Sequence, residues 1–137
     1  MDEIKVLSPT AILGYGFPED SFKRGLEKDP DIIAVDGGST DPGPYYLGAG
    51  VSFTDREAVK RDLRLMIKAG VERDIPVLVG TAGGSGADAH LDWAVDIVKE
   101  IASENELDIN LASISAEFEQ EEIRKKFDND QIKPLPP

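Results

Sequence analysis

The chain has no cysteine, which excludes disulfides and thiolate metal ligands and points to a reducing compartment. It has a single histidine, His90, so no site built on paired imidazoles can form. No apolar run approaches the roughly 20 residues that a membrane-spanning helix requires, and Met1 is followed at once by Asp2 and Glu3. A cytoplasmic protein without a membrane partner is the expectation. Basic residues are also scarce, 15 against 27 acidic ones, for a net charge of -12. Those present, such as Lys60, Arg61, Arg64 and Lys68, are interleaved with acids in a helical pattern. Nucleic-acid binding rests on clustered cations that neutralise phosphates, so that class is disfavoured.

What the chain does have is glycine, 13 in 137 residues, placed between short β-like runs. These runs are Ile4–Leu7, Asp31–Val35, Pro76–Val79 and Ile109–Ile114. The second and third are nearly continuous apolar stretches, the pattern of strands buried in a parallel sheet. Helical patterns alternate with them. Pro18 suits a helix start, with Phe22 and Leu26 on one face. Thr54 and Glu57 form a capping-box spacing, followed by a stripe of Val59, Leu63, Met66, Ile67 and Gly70. A third helix is predicted over about 89–103 and a fourth over about 119–127, the latter carrying Ile123 and Phe127 four apart.

This alternation predicts an α/β fold: an open, mostly parallel four-stranded sheet with helices on both faces, built of Rossmann-like or flavodoxin-like βαβ units. Residues 1–128 form the expected ligand-binding domain. Residues 129–137 read as a proline-rich linker or tail, leading to a further domain of a longer protein or simply frayed.

Open parallel sheets bind ligands outside the carboxyl ends of their strands, and the unusual residues all fall there. The loop after the first strand holds Ser8 and Gly14-Tyr15-Gly16. Position 19 is Glu where the dinucleotide fingerprint needs its third glycine. The loop after the second strand runs about 18 residues from Asp36, against a median of about 4–6 for such connections. It contains Gly37, Gly38, Ser39, Thr40, Asp41 and Tyr45 as candidate ligand contacts. Asp36 is a candidate catalytic carboxylate, with turn capping as its structural alternative.

The third loop, Gly80-Thr81-Ala82-Gly83-Gly84-Ser85-Gly86, opens a helix and suggests an anion cradle from Thr81, Gly83, Gly84, Ser85 and Gly86. It lacks the Gly-Lys-Ser/Thr of a phosphate-binding P-loop. His90 lies one turn into that helix as a candidate acid or base, with Asp88 expected to cap the helix. Asp92 beside it would orient the imidazole or favour the helix dipole. Glu117, after the fourth strand, would face the rim of Asp36, as a third catalytic group or as a helix cap. Two carboxylates and an imidazole would suit a hard divalent cation.

The strings Val6-Leu7-Ser8-Pro9-Thr10, Gly14-Tyr15-Gly16-Phe17-Pro18-Glu19, Val35-Asp36-Gly37-Gly38-Ser39-Thr40-Asp41-Pro42-Gly43-Pro44-Tyr45-Tyr46-Leu47-Gly48 and His90-Leu91-Asp92-Trp93 together resemble the amino-terminal part of the acyclic terpene utilisation family. The similarity covers the whole chain. It implies an α/β protein associated with catabolism of organic acids or their thioesters, and a longer parent protein, which fits a linker at the tail. No reaction is established for the family, so it assigns no role to Asp36 or His90.

The resulting expectation is a domain of a metabolic enzyme that holds a small polar or anionic substrate, an organic acid or thioester, on the glycine loops. A non-catalytic ligand-binding or subunit-assembly domain is the alternative, associating with a further domain or a second copy. A nucleotide-binding enzyme domain is the second alternative.

Overall fold

The structure, a computed structural model, describes residues 3–39, 42 and 44–134. Strands β1 (Val6–Leu7), β2 (Ile32–Asp36) and β3 (Val77–Gly80) form a parallel sheet in the order β1-β2-β3. Helices α1 (Glu19–Leu26), α2 (Pro44–Ala49), α3 (Arg56–Arg73), α4 (Asp88–Glu104) and α5 (Gln120–Asp128) complete the fold, with a 3-10 turn over Ala82–Gly84. In register, Leu7 pairs with Ile33, Ile33 with Val77 and Val35 with Val79. This row of side chains packs on Phe22 and Leu26 of α1, Leu63 and Met66 of α3, and Ile97 and Ile101 of α4.

Three expectations are corrected. The sheet has three strands among the described residues, and Ile109–Ile114 is not a fourth. That segment runs beside β3 across an open groove of about 830 Å³, and its Leu111 and Ile114 are exposed. The expected helices on both faces are not found among the described residues either. Right-handed crossovers place successive helices on one side when strands are added in one direction, and only a reversal of strand order moves them across. Here the order never reverses, so the Val6–Ile32 and Ala34–Leu78 face is left open, with Val6 58% and Leu78 54% exposed. The doubly wound Rossmann-like arrangement, which needs that reversal, is not seen among the described residues.

The third correction concerns helix starts. Asp55, not Thr54, caps α3, accepting the Ala58 amide at 2.9 Å. Thr54 instead hydrogen-bonds the Ser52 hydroxyl. Ala87, not Asp88, occupies the cap position of α4. The long loop after β2 also contains α2, which its glycines and prolines hide. Helix α5 forms, but Ile123 and Phe127 stay exposed. Of the tail, Asn129 closes α5 through its side chain on the Lys125 carbonyl, while residues 135–137 lie outside the described residues.

Helices α3 and α4 are tied by ions as well as by packing. The buried Lys60 ammonium donates to Glu100 and Glu104, and Arg56 donates to the other Glu100 oxygen at 2.8 Å. Lys60, then Arg56, hold the Glu100 carboxyl down to about 2, and the same contacts raise Lys60 above its ordinary range. A carboxyl depressed on folding stabilises the protein above its unfolded value and loses that contribution as pH falls through the folded one. The thermal midpoint should therefore drop steeply as pH falls from the ordinary 4.5 to about 2. Glu100→Gln should flatten this limb in thermal scans against pH. An equally steep limb in the variant would remove Glu100 as its cause.

Candidate functional site

The carboxyl ends of β2 and β3 meet in a cavity of about 640 Å³. Three loops build it, and they interlock through glycines. The Gly37 amide donates to the Gly80 carbonyl at 2.7 Å, sewing the loop after β2 to the end of β3. A Cβ on Gly38 would lie 2.2 Å from the Gly84 carbonyl oxygen, and one on Gly83 would lie 2.2 Å from that of His90. Real Cβ atoms do not approach so closely, so the loops can touch only because these residues lack one.

One wall of the cavity is apolar, formed by Ile12, Tyr46, Leu47 and Phe53. Tyr46 stacks edge-on to Phe53, ring centres 6.0 Å apart. The polar part of the lining is Asp36, Ser39, Thr81, Ser85 and His90. Asp36 ends β2, as the sequence places it. Its Oδ1 accepts the Gly38 amide at 2.9 Å, which sets the carboxylate on the cavity wall.

His90 is 1% exposed and both ring nitrogens are engaged. Nε2 lies 3.1 Å from the Val51 carbonyl oxygen and Nδ1 lies 3.1 Å from the Ser85 hydroxyl. A carbonyl can only accept, so Nε2 carries a hydrogen and donates it to Val51, while Nδ1 pairs with the Ser85 hydroxyl. The imidazole thereby fixes the Ser85 hydroxyl on the cavity wall and ties it to the segment after α2. Asp92 is exposed on α4, and neither imidazole nitrogen bonds to it.

Other candidates lie elsewhere. Gly14 and Gly16 do not face the cavity. Their amides donate to Asp62 Oδ2 at 2.9 and 3.0 Å, while Arg61 binds Asp62 Oδ1. This Gly-x-Gly pair makes the amide nest that a dinucleotide phosphate would use, but the chain fills it with its own carboxylate. Ser8 is exposed and donates to the Thr10 carbonyl at 3.3 Å. Tyr45 points outward, 71% exposed, against the edge of Tyr46. Thr40 and Asp41 lie outside the described residues.

Glu117 is not on the rim of Asp36. It reaches back to the start of α4, where Oε1 accepts the Asp88 amide at 2.8 Å. Ser115 donates to Asp88 on the same turn. The expected set of two carboxylates and an imidazole is therefore not assembled, and no three acidic or histidine side chains among the described residues converge on a cation.

The anion cradle differs too. The Gly84 amide donates to the Thr81 carbonyl, and those of Ser85 and Gly86 to Ala82. The Ala87 amide donates to the Ser85 hydroxyl and the Asp88 amide to Glu117. From Gly84 onward the loop has spent its amides on its own fold.

Residues not anticipated include Asp62, Tyr46, Phe53 and Ile12. Only Asp62 left a signal: it sits on the α3 stripe between Val59 and Met66, where a charge is out of place unless paired. Compared with known proteins, the chain matches no protein-family model, no curated protein and no solved structure. No described helix is long and apolar enough to cross a membrane.

Proposed function

We propose that the chain is a domain of a metabolic enzyme that binds a small polar substrate in the cavity between the loops after β2 and β3. The carrying observation is that a carboxylate, Asp36, a histidine-positioned hydroxyl, Ser85, and two aromatic rings line one cavity at the carboxyl end of a parallel sheet. Small-molecule sites combine these features, an apolar lining with a few oriented polar groups. In this reading Asp36 receives a proton or a hydrogen bond from the substrate, and His90 positions Ser85. The resemblance to the acyclic terpene utilisation family supports a catabolic role.

A second reading, an assembly domain, is favoured by the open sheet face, the free edge of β3 and the exposed Tyr45 and Leu47. A thermal-shift screen of small metabolites, repeated on Asp36→Asn, separates the two. The replacement keeps the oxygen that accepts the Gly38 amide, so the ligand-free midpoint should move little. Ligand-induced stabilisation, and turnover of any substrate found, should be lost. Equal stabilisation of parent and variant by the same ligand would remove Asp36 from the site. His90→Ala is a poorer probe, because the buried ring holds two loops together.

A further inference from the structure

We infer that the part of the ligand entering this cavity carries a hydrogen-bond donor, a protonated amine above all, on an apolar body, and that the cavity rejects a carboxylate. The inference rests on the proposed site and adds the chemical class it selects. Recognition of an anion needs donors or positive charge aimed at it. Most of the donors that such a loop and the following helix start normally offer are already consumed here. The amides from Gly84 to Asp88 all donate within the chain.

No lysine or arginine lines the cavity among the described residues. Arg61 is held on Asp62, and Arg56, Lys60 and Arg64 are held on Glu100 and Glu104. Both His90 ring nitrogens are engaged within the chain, Nε2 on the Val51 carbonyl and Nδ1 on the Ser85 hydroxyl. The charged group that lines the space among the described residues is an acceptor, Asp36. The charge of the whole chain acts in the same direction, since -12 lowers the local concentration of anions and raises that of cations.

The apolar part of the lining sets the other half of the ligand. Ile12, Leu47 and Phe53 can cover a short hydrocarbon body and remove it from water. An ammonium on that body would meet the Asp36 carboxylate with the attraction that a carboxylate in the same place would feel as repulsion.

The test uses three four-carbon probes with the same body: butylammonium, butanol and butyrate. Binding is followed by amide chemical shifts of the intact chain, read at Phe53, Thr81 and Ser85. Butylammonium should perturb these amides and bind at least about tenfold more tightly than butyrate, with butanol between them. Asp36→Asn should collapse the difference between butylammonium and butyrate to within about twofold. Butyrate binding as well as butylammonium would overturn the donor preference while leaving the site intact. If none of the three perturbs those amides, the binding-site reading fails together with this one. A preference for butylammonium that survives in Asp36→Asn would assign it to another group and overturn the role of Asp36 in selecting the ligand.

Discussion

Asp62→Ala should cost about 3–5 kcal/mol of folding stability, a large share of the roughly 5–15 kcal/mol that holds a typical domain together. The carboxylate is 1% exposed and accepts four donors: the Gly14 and Gly16 amides on one oxygen, and two arginine nitrogens of Arg61 on the other. Truncation leaves two backbone N–H groups facing a methyl group, each at a desolvation cost of about 1–3 kcal/mol. Arg61 loses its partner but is half exposed, so water takes over much of its solvation and its share is small.

Asp62→Asn should fall between parent and alanine, because the amide oxygen can still accept from the glycines while its NH₂ faces a guanidinium. Urea denaturation of the three proteins gives the order directly. An alanine variant within about 1 kcal/mol of the parent would show that the loop does not depend on this carboxylate. The effect should also reach the cavity. Ile12 on its wall and the Leu13 amide, which donates to the Asp36 carbonyl at 3.0 Å, belong to the loop that Asp62 anchors.

Gly83→Ala should be nearly as damaging, at about 3–4 kcal/mol, for an unrelated reason. Gly83 has φ +71, a left-handed conformation that costs an alanine about 1 kcal/mol by itself. The added methyl would also lie 2.2 Å from the His90 carbonyl oxygen, and that neighbour is helical backbone rather than a side chain able to swing away. Either the first turn of α4 or the 3-10 turn must move. Both carry His90 or Ser85, so ligand binding should be lost together with stability.

Gly48→Ala is the matched control. Nothing lies within 4 Å of a Cβ there, and Gly48 is an exposed residue inside α2. Replacing it should stabilise the protein by about 0.5–1 kcal/mol. Opposite signs for the two glycines in urea denaturation are the expected result. A Gly83→Ala cost below about 1 kcal/mol would mean that the turn accommodates a side chain.

Much of the local structure is legible in the chain. The apolar runs at 31–35 and 76–79 predict β2 and β3 to within a residue, but their unbroken apolar character misleads about burial, since one face of both strands is left open. The stripe from Val59 to Gly70 predicts α3, and Asp36 is placed at the sheet end by its position after a β run. The same local logic misleads at Ile109–Ile114. Its alternation suits a strand, but a strand exists only where a ladder forms, and nothing local reports whether the β3 edge is within reach. Helix caps slip by one residue for a related reason. Ser, Thr and Asp all cap, and which one does depends on where neighbouring elements pull the backbone.

Composition and periodicity by themselves determined the α/β class, the acidic character and the end of the sheet at which the polar loops gather. Those properties depend on residue type and on neighbours in sequence, so they can be read without coordinates. Only the tertiary structure decided what the glycines do. A Gly-x-Gly or a Gly-Gly-Ser-Gly specifies that amides are available and that backbones can approach closely. The first loop's amides are taken across a long sequence separation, by Asp62, whereas those of Gly84 to Gly86 are taken within the turn by Thr81 and Ala82, and Glu117 takes the Asp88 amide at the start of α4. Because the chain itself consumes those donors, the loops that read as anion cradles enclose a cavity whose described charged group is the carboxylate of Asp36.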